Sequence, residues 1–315
     1  MFFWNKAKGE LAARGVLGIN ARNLDYIFEY NNRRYYPQVD DKVITKTLAT
    51  EAGIPCPETY AIIEYQDQVR NFDALIGDRT DFVIKPAQGS GGEGILIITD
   101  RQPHGWVKAS GQILSSGSVS YHLNNILGGL YSLGGMKDKA IIEYRVRSTQ
   151  QFAPISYQGV PDIRLIVYRG VPVMAMLRLP TKKSDGKANL HAGGIGVGIS
   201  MQTGRTTFCV QDHDFIEHHP DTGVVLRDIA IPNWEEILEL SSRFDQIIQL
   251  GYIGVDIVID EAHGPMLLEL NARPGIAIQI ANRAGLKNRL EVVDKHMGEL
   301  MTRGQKIAFA REAFL

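Results

Sequence analysis

The spacing of apolar and polar residues predicts a chain in which helices and strands alternate. Apolar side chains recur at helical spacing over residues 234–250, which predicts an amphipathic helix. The same spacing begins after Asp40-Asp41, where a helix N-cap is expected, and stops at Gly53, where a C-cap glycine is expected. Two more helices are predicted near the end of the chain, over residues 290–301 and from there to Leu315.

Runs of Val, Ile and Leu predict β-strands that pair through short turns. Residues 162–178 are predicted to form a hairpin, because Arg169-Gly170 separates two apolar runs. Residues 254–260 and 266–271 flank a segment with Gly-Pro turn chemistry and predict an antiparallel strand pair. Residues 101–139 and 201–232 show little periodicity. We therefore expect both to be insertions that form a mobile cover, a peptide groove or an interface.

Composition narrows the class of protein. The 315 residues are 44% hydrophobic and 22% charged, which is ordinary for a soluble enzyme of one large domain or two. The formal net charge of -1 argues against a nucleic-acid-binding surface, which would be basic. No apolar run reaches the length of a membrane span, and the first residues lack the apolar core of a signal peptide. Two distant cysteines fit a reducing compartment, so a cytoplasmic location is expected.

Three polar side chains interrupt the second strand pair. Glu269 and Asn271 are two residues apart and therefore share a face of their strand, and Asp256 can meet them from the partner strand. Two carboxylates and an amide oxygen on one face suit Mg²⁺, which takes oxygen ligands and shares them with phosphates. The alternative is three polar residues at strand ends. The His- and acid-rich residues 212–219 are a second candidate metal site, but a solvated loop is favoured there.

A glycine-rich loop follows a buried strand that carries one lysine. Lys85 lies near the end of the apolar run 82–86, and residues 89–94 contain four glycines before the next strand begins. Such a loop can turn bare backbone N–H groups toward an anion such as a phosphate. The sequence has neither a Walker A motif nor the kinase motifs, and the loop does not open a helix as a dinucleotide-binding loop would.

In this order, these features resemble the ATP-grasp superfamily, and within it the RimK-type α-L-glutamate ligases. The resemblance covers roughly residues 40–285. It rests on Asp41-Lys42, on Lys85 with the glycine loop, on residues 142–146, on the Asn-Leu-His-Ala-Gly-Gly segment at 189–194, and on the three polar residues Asp256, Glu269 and Asn271. It implies an α/β (α+β) ATP-grasp fold, in which two α+β lobes grip ATP between antiparallel sheets. It also implies a short N-terminal arm at 1–41 and an ATP-grasp domain at 42–315, with a lid lobe near 60–145 and a catalytic lobe near 146–315.

The resemblance also implies roles for individual residues. The residues expected to bind ATP are Lys42, Lys85, Gly89, Ser90, Gly91, Gly92, Gly94, Glu143, Tyr144, Arg145, Val146 and Asp162. Within that set Glu143 is an adenosine contact that can hydrogen-bond the ribose, and the residues around Arg145 and Val146 meet the adenine. The residues expected to act on the phosphates, the acyl intermediate and the substrate are Arg164, Arg178, Asn189, His191 and Arg273. The expected metal ligands are Asp256, Glu269 and Asn271.

The implied function is an ATP-dependent carboxylate–amine ligase that forms an amide through an acylphosphate. Its cofactors are ATP and two Mg²⁺ ions, for which Mn²⁺ can substitute, and its substrates are an amino acid, with glutamate favoured, and a peptide, protein or amino-acid acceptor. A homo-oligomer or a partner protein is also expected, because the arm before Lys42 is shorter than the lobe that family members usually carry there.

Two other functions stay open: an ATP-grasp kinase that phosphorylates a hydroxyl, and a nucleotide-binding regulatory or scaffold protein.

Ala192 departs from the RimK pattern, which has arginine at this position, so a cation that would pair with a substrate carboxylate is missing.

Overall fold

The computed structural model of the chain describes residues 9–89, 91–300 and 302–314. The chain divides into two compact units. The first unit contains the residues up to Asp40, Leu48–Pro55 and the chain from Arg147 onward, and the second contains Asp41–Thr47 and Cys56–Val146. Each unit is built on its own antiparallel sheet with helices, so the predicted α+β class is confirmed.

The second unit is a six-stranded sheet with the strand order β1-β6-β2-β3-β4-β5. Its strands are β1 Thr59–Ile63, β2 Phe82–Pro86, β3 Leu96–Gln102, β4 Gly105–Lys108, β5 Ile113–Leu114 and β6 Ala140–Glu143. Its α-helices are Gln66–Arg70, Phe72–Ile76 and Ser116–Leu127, and a 3₁₀ turn covers Leu133–Gly135. The helix Lys42–Glu51 begins in this unit. Asp41 caps it, because its Oδ1 accepts a hydrogen bond from Val43 N at 2.8 Å.

The prediction that residues 101–139 form an insertion is wrong. This segment supplies the end of β3, all of β4 and β5, and the helix Ser116–Leu127. Trp106 is only 1% exposed, and its ring lies 5.2 Å from Phe82 and 5.7 Å from Phe72 in edge-to-face contacts. The strands are too short for periodicity to reveal them, and the serines and glycine at 115–118 belong to a helix start, where Ser115 Oγ accepts from Ser118 N.

The first unit is a seven-stranded sheet with the order β11-β10-β9-β8-β7-β12-β13. Its strands are β7 Asp162–Tyr168, β8 Val171–Leu179, β9 Ile195–Ile199, β10 Thr206–Gln211, β11 Asp214–Ile216, β12 Tyr252–Asp260 and β13 Gly264–Asn271. The predicted hairpin is β7–β8, and Arg169 and Gly170 at its turn have positive φ angles of 51° and 79°. The predicted pair at 254–271 is β12–β13. Both predictions are confirmed.

Several helices of the first unit differ in length from the predictions. The helix expected over residues 234–250 ends earlier, as Trp234–Ser242 followed by a 3₁₀ turn at Arg243–Gln246. The terminal helices are Leu286–His296 and Arg303–Ala313, and a short helix covers Ile278–Asn282. Further 3₁₀ turns cover Gln150–Ile155 and Leu190–Ala192.

The polar stretch at 201–232 is only partly the expected insertion, because its first half forms β10 and the edge strand β11. His219 is fully buried, with its ring Nε2 3.1 Å from Pro180 O. Asp212 is ion-paired to Lys183. Within residues 9–89, 91–300 and 302–314, no group of three or more His, Cys, Asp or Glu side chains could hold a metal. The favoured interpretation of residues 212–219 as a solvated loop is wrong in part, because residues 214–216 form β11 and His219 is buried.

The residues before the first long helix form short helical turns that pack on the end of β12–β13. These turns are Ile19–Ala21, Arg22–Ile27, Phe28–Tyr30, Arg33–Tyr35 and Pro37–Asp40, and residues 9–13 are also helical. Asn31 Nδ2 donates to Tyr252 O and Ala272 O, and Arg22 donates to Pro274 O. This segment therefore fixes the chain that follows the predicted metal ligands. In the described part of the chain, no helix is both long and apolar enough to cross a membrane.

Candidate functional site

In the second unit, the glycine loop begins directly after β2. Gly91, Gly92 and Gly94 have φ angles of 67°, 79° and 73°, a backbone region that residues with a side chain rarely adopt. Lys42 Nζ donates to Gly89 O at 2.7 Å, and Lys42 N donates to Ala87 O. The predicted lysine thus lies against the predicted loop. Ser90, also predicted to bind ATP, lies outside the described residues.

A buried cluster of two lysines and one carboxylate lies beside this loop. Glu143 is 3% exposed and bonds Lys46 through Oε2 and Lys85 through Oε1, the latter at 2.5 Å. Burial alone would raise the pKa of Glu143, but the positive charges of Lys85 and Lys46 outweigh it and hold that pKa below its usual value. Burial lowers the pKa of the Lys46 ammonium, although Glu143 opposes the shift. The cluster keeps one positive charge in excess.

Lys46 was missed as a site residue by sequence reasoning. The resemblance placed the ATP role on Lys42, and Lys46 is four residues later on the same helix. Residues four apart share one helix face, so a second lysine at this spacing was the available signal. The structure shows that Lys46, not Lys42, completes the ion pair with Glu143.

Tyr144, Arg145 and Val146 follow the end of β6 and are held by local contacts. Tyr144 N donates to Glu58 O at 2.8 Å. The Arg145 guanidinium makes a bidentate ion pair with Asp81, whose second contact, from Nη2 to Oδ2, is 3.0 Å. Val146 is buried. Their contact with adenine and the ribose contact of Glu143 stay predictions, and both oxygens of Glu143 are engaged by lysines.

In the first unit, the three predicted metal ligands come together as the strand pattern indicated. Asp256 on β12 is paired directly with Glu269 on β13, and Gly254 is paired with Asn271. Asn271 Nδ2 donates to Asp256 Oδ2 at 3.3 Å. The side chains therefore share one face of the strand pair.

Two arginines converge on the same aspartate. Arg164 forms a bidentate pair with Asp256, with 2.6 Å from Nη2 to Oδ2, and Arg178 Nη2 lies 2.8 Å from Asp256 Oδ2. Arg178 Nε also pairs with Asp162 Oδ1 at 2.5 Å. The sheet produces this arrangement, because Asp256 is opposite Arg164 on β7, and Asp162 is opposite Arg178 on β8.

Charge sets the ionisation of this cluster. Burial would raise the pKa of Asp256, but Arg164 and Arg178 hold it below its usual value. Burial, with the negative charge of Asp256, raises the pKa of Asp162 to about 6, and Arg178 opposes this shift. Although burial acts to lower the pKa of Arg178, Asp162 and Asp256 raise it above its ordinary value. Asp256 is therefore a carboxylate and Arg178 a cation across the physiological range.

The chemistry of these donors fits Mg²⁺. Asp256 is only 2% exposed. Its Oδ2 accepts from Arg164, Arg178 and Asn271, whereas among the described residues its Oδ1 accepts only from Arg164 and keeps a lone pair that a cation can use. Glu269 and Asn271 are half-buried and add a carboxylate and an amide oxygen. One or two carboxylates completed by phosphate oxygens are what Mg²⁺ usually takes from a protein.

Asn189, His191 and Arg273 are placed outside this arginine–aspartate cluster. Asn189 Oδ1 accepts from His191 N at 3.0 Å and caps the 3₁₀ turn Leu190–Ala192, which leaves the His191 side chain exposed. Arg273 is exposed, and its guanidinium lies 5.1 Å from the centroid of the Tyr36 ring. None of the three hydrogen-bonds the arginine–aspartate cluster in the part of the chain that the structure describes.

Comparisons with solved structures return, among others, the three proteins that follow, and the first two are described as ATP-grasp proteins. The ATP-grasp ligase PsnB complexed with a minimal precursor is 16% identical, with a TM-score of 0.44 over 84% of this chain and 62% of that chain. A RimK domain ATP-grasp protein from Sphaerobacter thermophilus is 12% identical, with a TM-score of 0.47 over 83% and 69%. D-alanine–D-alanine ligase from Bacillus anthracis complexed with ATP is 13% identical, with a TM-score of 0.44 over 87% and 66%.

The comparison of the sequence with curated proteins gives no match. The family described as sugar-transfer associated ATP-grasp matches residues 21–295, which is most of the chain and includes both buried clusters. The predicted ATP-grasp fold is thereby confirmed, and the protein belongs to the sugar-transfer associated ATP-grasp family.

Proposed function

We propose that the protein is an ATP-dependent ligase that joins a carboxylate to an amine. A substrate carboxylate attacks the γ-phosphoryl group of ATP and gives an acylphosphate and ADP. The amine then attacks the acyl carbon, and phosphate leaves as the amide forms. The observation that carries the proposal is the buried pairing of Asp256 with Arg164 and Arg178, next to Glu269 and Asn271.

The second unit supports the nucleotide part of this proposal. Lys42 and Lys85 are cations at the glycine loop, and the loop glycines adopt the positive φ angles that anion-binding nests use. Glu143 holds Lys85 in place and leaves the lysine pair with a net positive charge. The phosphates of a nucleoside triphosphate would supply the negative charge that balances this lysine pair.

The first unit supports the chemical part. Asp256, Glu269 and Asn271 would hold Mg²⁺, which when bound lowers the cost of the charge that develops during phosphoryl transfer. Arg164 and Arg178 are fixed by bidentate and bridging pairs, so they can face a developing oxyanion with little rearrangement. A site with only metal ligands would bind a nucleotide, whereas two fixed arginines also suit an acyl oxyanion.

The substrates follow from the resemblance rather than from the geometry. Glutamate or another α-amino acid is our first choice of amine, with a peptide, protein or amino-acid acceptor. Since the family is described as sugar-transfer associated, sugars that carry a carboxylate or an amine form a second set of acceptors. Ala192 removes the arginine of the RimK pattern, which favours an acceptor other than a free amino acid.

The test is Mg²⁺-dependent phosphate release from ATP, with product masses read in parallel. The twenty amino acids are supplied singly and in pairs, and then with uronic acids and amino sugars. We expect release that depends on one amine and one carboxylate, with a product mass equal to their sum less water. Glu269→Ala should lose this turnover and keep its fold, whereas Glu261→Ala, an exposed carboxylate in the β12–β13 turn, should retain it.

The other two functions give different results in the same experiment. A product that gains a phosphate without an amide bond would establish a kinase and overturn the ligase. ATP binding without turnover on any acceptor would favour a regulatory or scaffold protein. Full activity of Glu269→Ala would refute the assignment of the metal ligands.

A further inference from the structure

The segment that follows the helix Ser116–Leu127 contains a buried carboxylate with an unusual set of partners. Asp138 is 5% exposed. Its two carboxylate oxygens accept from Gln88 N at 3.1 and 3.0 Å, from Ser132 Oγ at 2.6 Å and from Lys139 N at 2.7 Å. Among the described residues no cationic side chain lies within ion-pair distance of it. Backbone and hydroxyl donors alone therefore compensate its charge.

Gln88 is the residue from which the glycine loop starts. Ala87 N donates to Lys139 O, Gln88 N donates to Asp138, and Gly89 forms an isolated β-bridge with Ser132. Three consecutive residues at the start of the loop are thus attached to the segment 132–139. Hydrogen bonds to a charged acceptor are about twice as strong as neutral ones, so Asp138 is the firmest of these attachments.

The other end of the loop is held by the same part of the unit. The Nε2 atom of His122 lies 3.0 Å from Gly94 O. Burial lowers the pKa of His122, so its ring is neutral at pH 7 and Nε2 carries the proton that it donates. The Tyr131 ring closes over Gly94, where an added Cβ would lie 2.6 Å from Tyr131 Cγ. Both ends of the loop are therefore braced from residues 116–139.

We propose that Asp138 is a positioning residue that holds the glycine loop in its phosphate-binding conformation. The proposal rests on the proposed role of this loop in binding ATP. Asp138 touches no nucleotide. It acts through Gln88 N and Ser132, which fix where the loop leaves β2. Residues 132–139 belong to the segment that was predicted to be a surface insertion, and in this proposal they support the phosphate site.

A positioning role predicts a loss confined to the phosphates of the ligand. In Asp138→Ala, the Gln88 N–H and the Ser132 hydroxyl lose their shared acceptor, so the loop is no longer fixed at its start. We expect the Kd for ATP to rise about tenfold or more, which corresponds to about 1.4 kcal/mol. The Kd for adenosine, which has no phosphates, should stay within about twofold.

The experiment titrates full-length protein with ATP and Mg²⁺, and measures adenosine by competition. Asp78→Ala is the matched control, because Asp78 is an exposed aspartate of the same unit. Asp138→Asn keeps one acceptor oxygen and should fall between wild type and Asp138→Ala. Ser132→Ala removes only the hydroxyl, and serves if Asp138→Ala does not fold in a melting experiment. It should weaken ATP binding by a smaller factor.

Each outcome decides between the two proposals. If the wild-type protein does not bind ATP, the proposed function fails and this inference fails with it. If wild type binds ATP but folded Asp138→Ala and Ser132→Ala bind it equally well, only the positioning role is overturned. Equal losses for ATP and adenosine would also overturn it, because a purely structural defect would not distinguish phosphates from the nucleoside.

Discussion

The Lys46–Glu143–Lys85 cluster allows a quantitative test of how charge is held in the second unit. Glu143→Gln keeps the shape of the side chain and removes its charge. Both ammoniums, which are about one-tenth exposed or less, would then stay buried without a carboxylate. The remaining amide can accept from one lysine but cannot donate usefully to either of them.

The expected cost follows from this burial. Removing one partner of a buried ion pair destabilises a protein by about 3–5 kcal/mol, because the remaining charge is uncompensated. The amide oxygen offsets part of this loss for one lysine, and the second lysine adds to it. We therefore expect Glu143→Gln to reduce the unfolding free energy of the second unit by about 3–5 kcal/mol at pH 7.

The loss should shrink as the pH rises. Burial already lowers the pKa of Lys46 below its ordinary value of 10.5, and the variant lacks the charge of Glu143 that opposes this shift most strongly. Between the lowered folded pKa and the unfolded pKa the unfolded state binds more protons, so stability rises with pH there. Hydrogen exchange of the amides in β2 and β6 measures this unit separately, and should show the defect shrinking as the pH rises toward the ordinary lysine pKa of 10.5.

Two further variants control the measurement. Lys46→Met leaves the pair of Lys85 with Glu143 intact, so it should reduce the unfolding free energy of the second unit much less than Glu143→Gln does. Adding Lys46→Met to Glu143→Gln removes one of the two uncompensated charges and should restore part of the stability. If Glu143→Gln costs no more than Lys46→Met at pH 7, or if its defect does not change with pH, the charge account of this cluster is refuted.

Two other predictions concern the same unit. Lys85→Ala should raise the Kd for ATP more than that for adenosine, measured by titration calorimetry, and an unchanged Kd for ATP would remove Lys85 from the proposed site. Leu123→Ala should lower the unfolding free energy by about 2–5 kcal/mol, because Leu123 is fully buried in the core of the second unit. If the unfolding free energy measured with denaturant falls by less than about 1 kcal/mol, residues 101–139 do not contribute to the core as described.

The parts of the fold that the sequence predicted well are those governed by local rules. Continuous apolar runs around a short turn predicted β7–β8 and β12–β13, and the two-residue spacing of Glu269 and Asn271 predicted a shared face toward Asp256. An aspartate and a glycine predicted both ends of the helix Lys42–Glu51. In each case neighbours along the chain determine the outcome.

Features that depend on distant pairing were not predicted. Arg164 meets Asp256 because β7 lies beside β12 in the sheet, although 92 residues separate the two side chains. Asp138 and Gln88 are 50 residues apart. Strands of four and two residues, such as β4 and β5, are shorter than any window in which periodicity can be counted. Glycine and serine at 115–118 indicated a loop, whereas serine there caps a helix.

The charges and donor atoms of the two buried clusters differ, and this difference indicates what each can bind. In the second unit, Lys46 and Lys85 face one carboxylate, so one positive charge is left over. In the first unit, Asp162 and Asp256 are paired with Arg164 and Arg178, and Glu269 is opposite Asp256 on the neighbouring strand. A buried charge in excess is costly unless a ligand completes it. A phosphate group would balance the excess positive charge of the lysine cluster, and the carboxylate and amide oxygens of Asp256, Glu269 and Asn271 suit Mg²⁺.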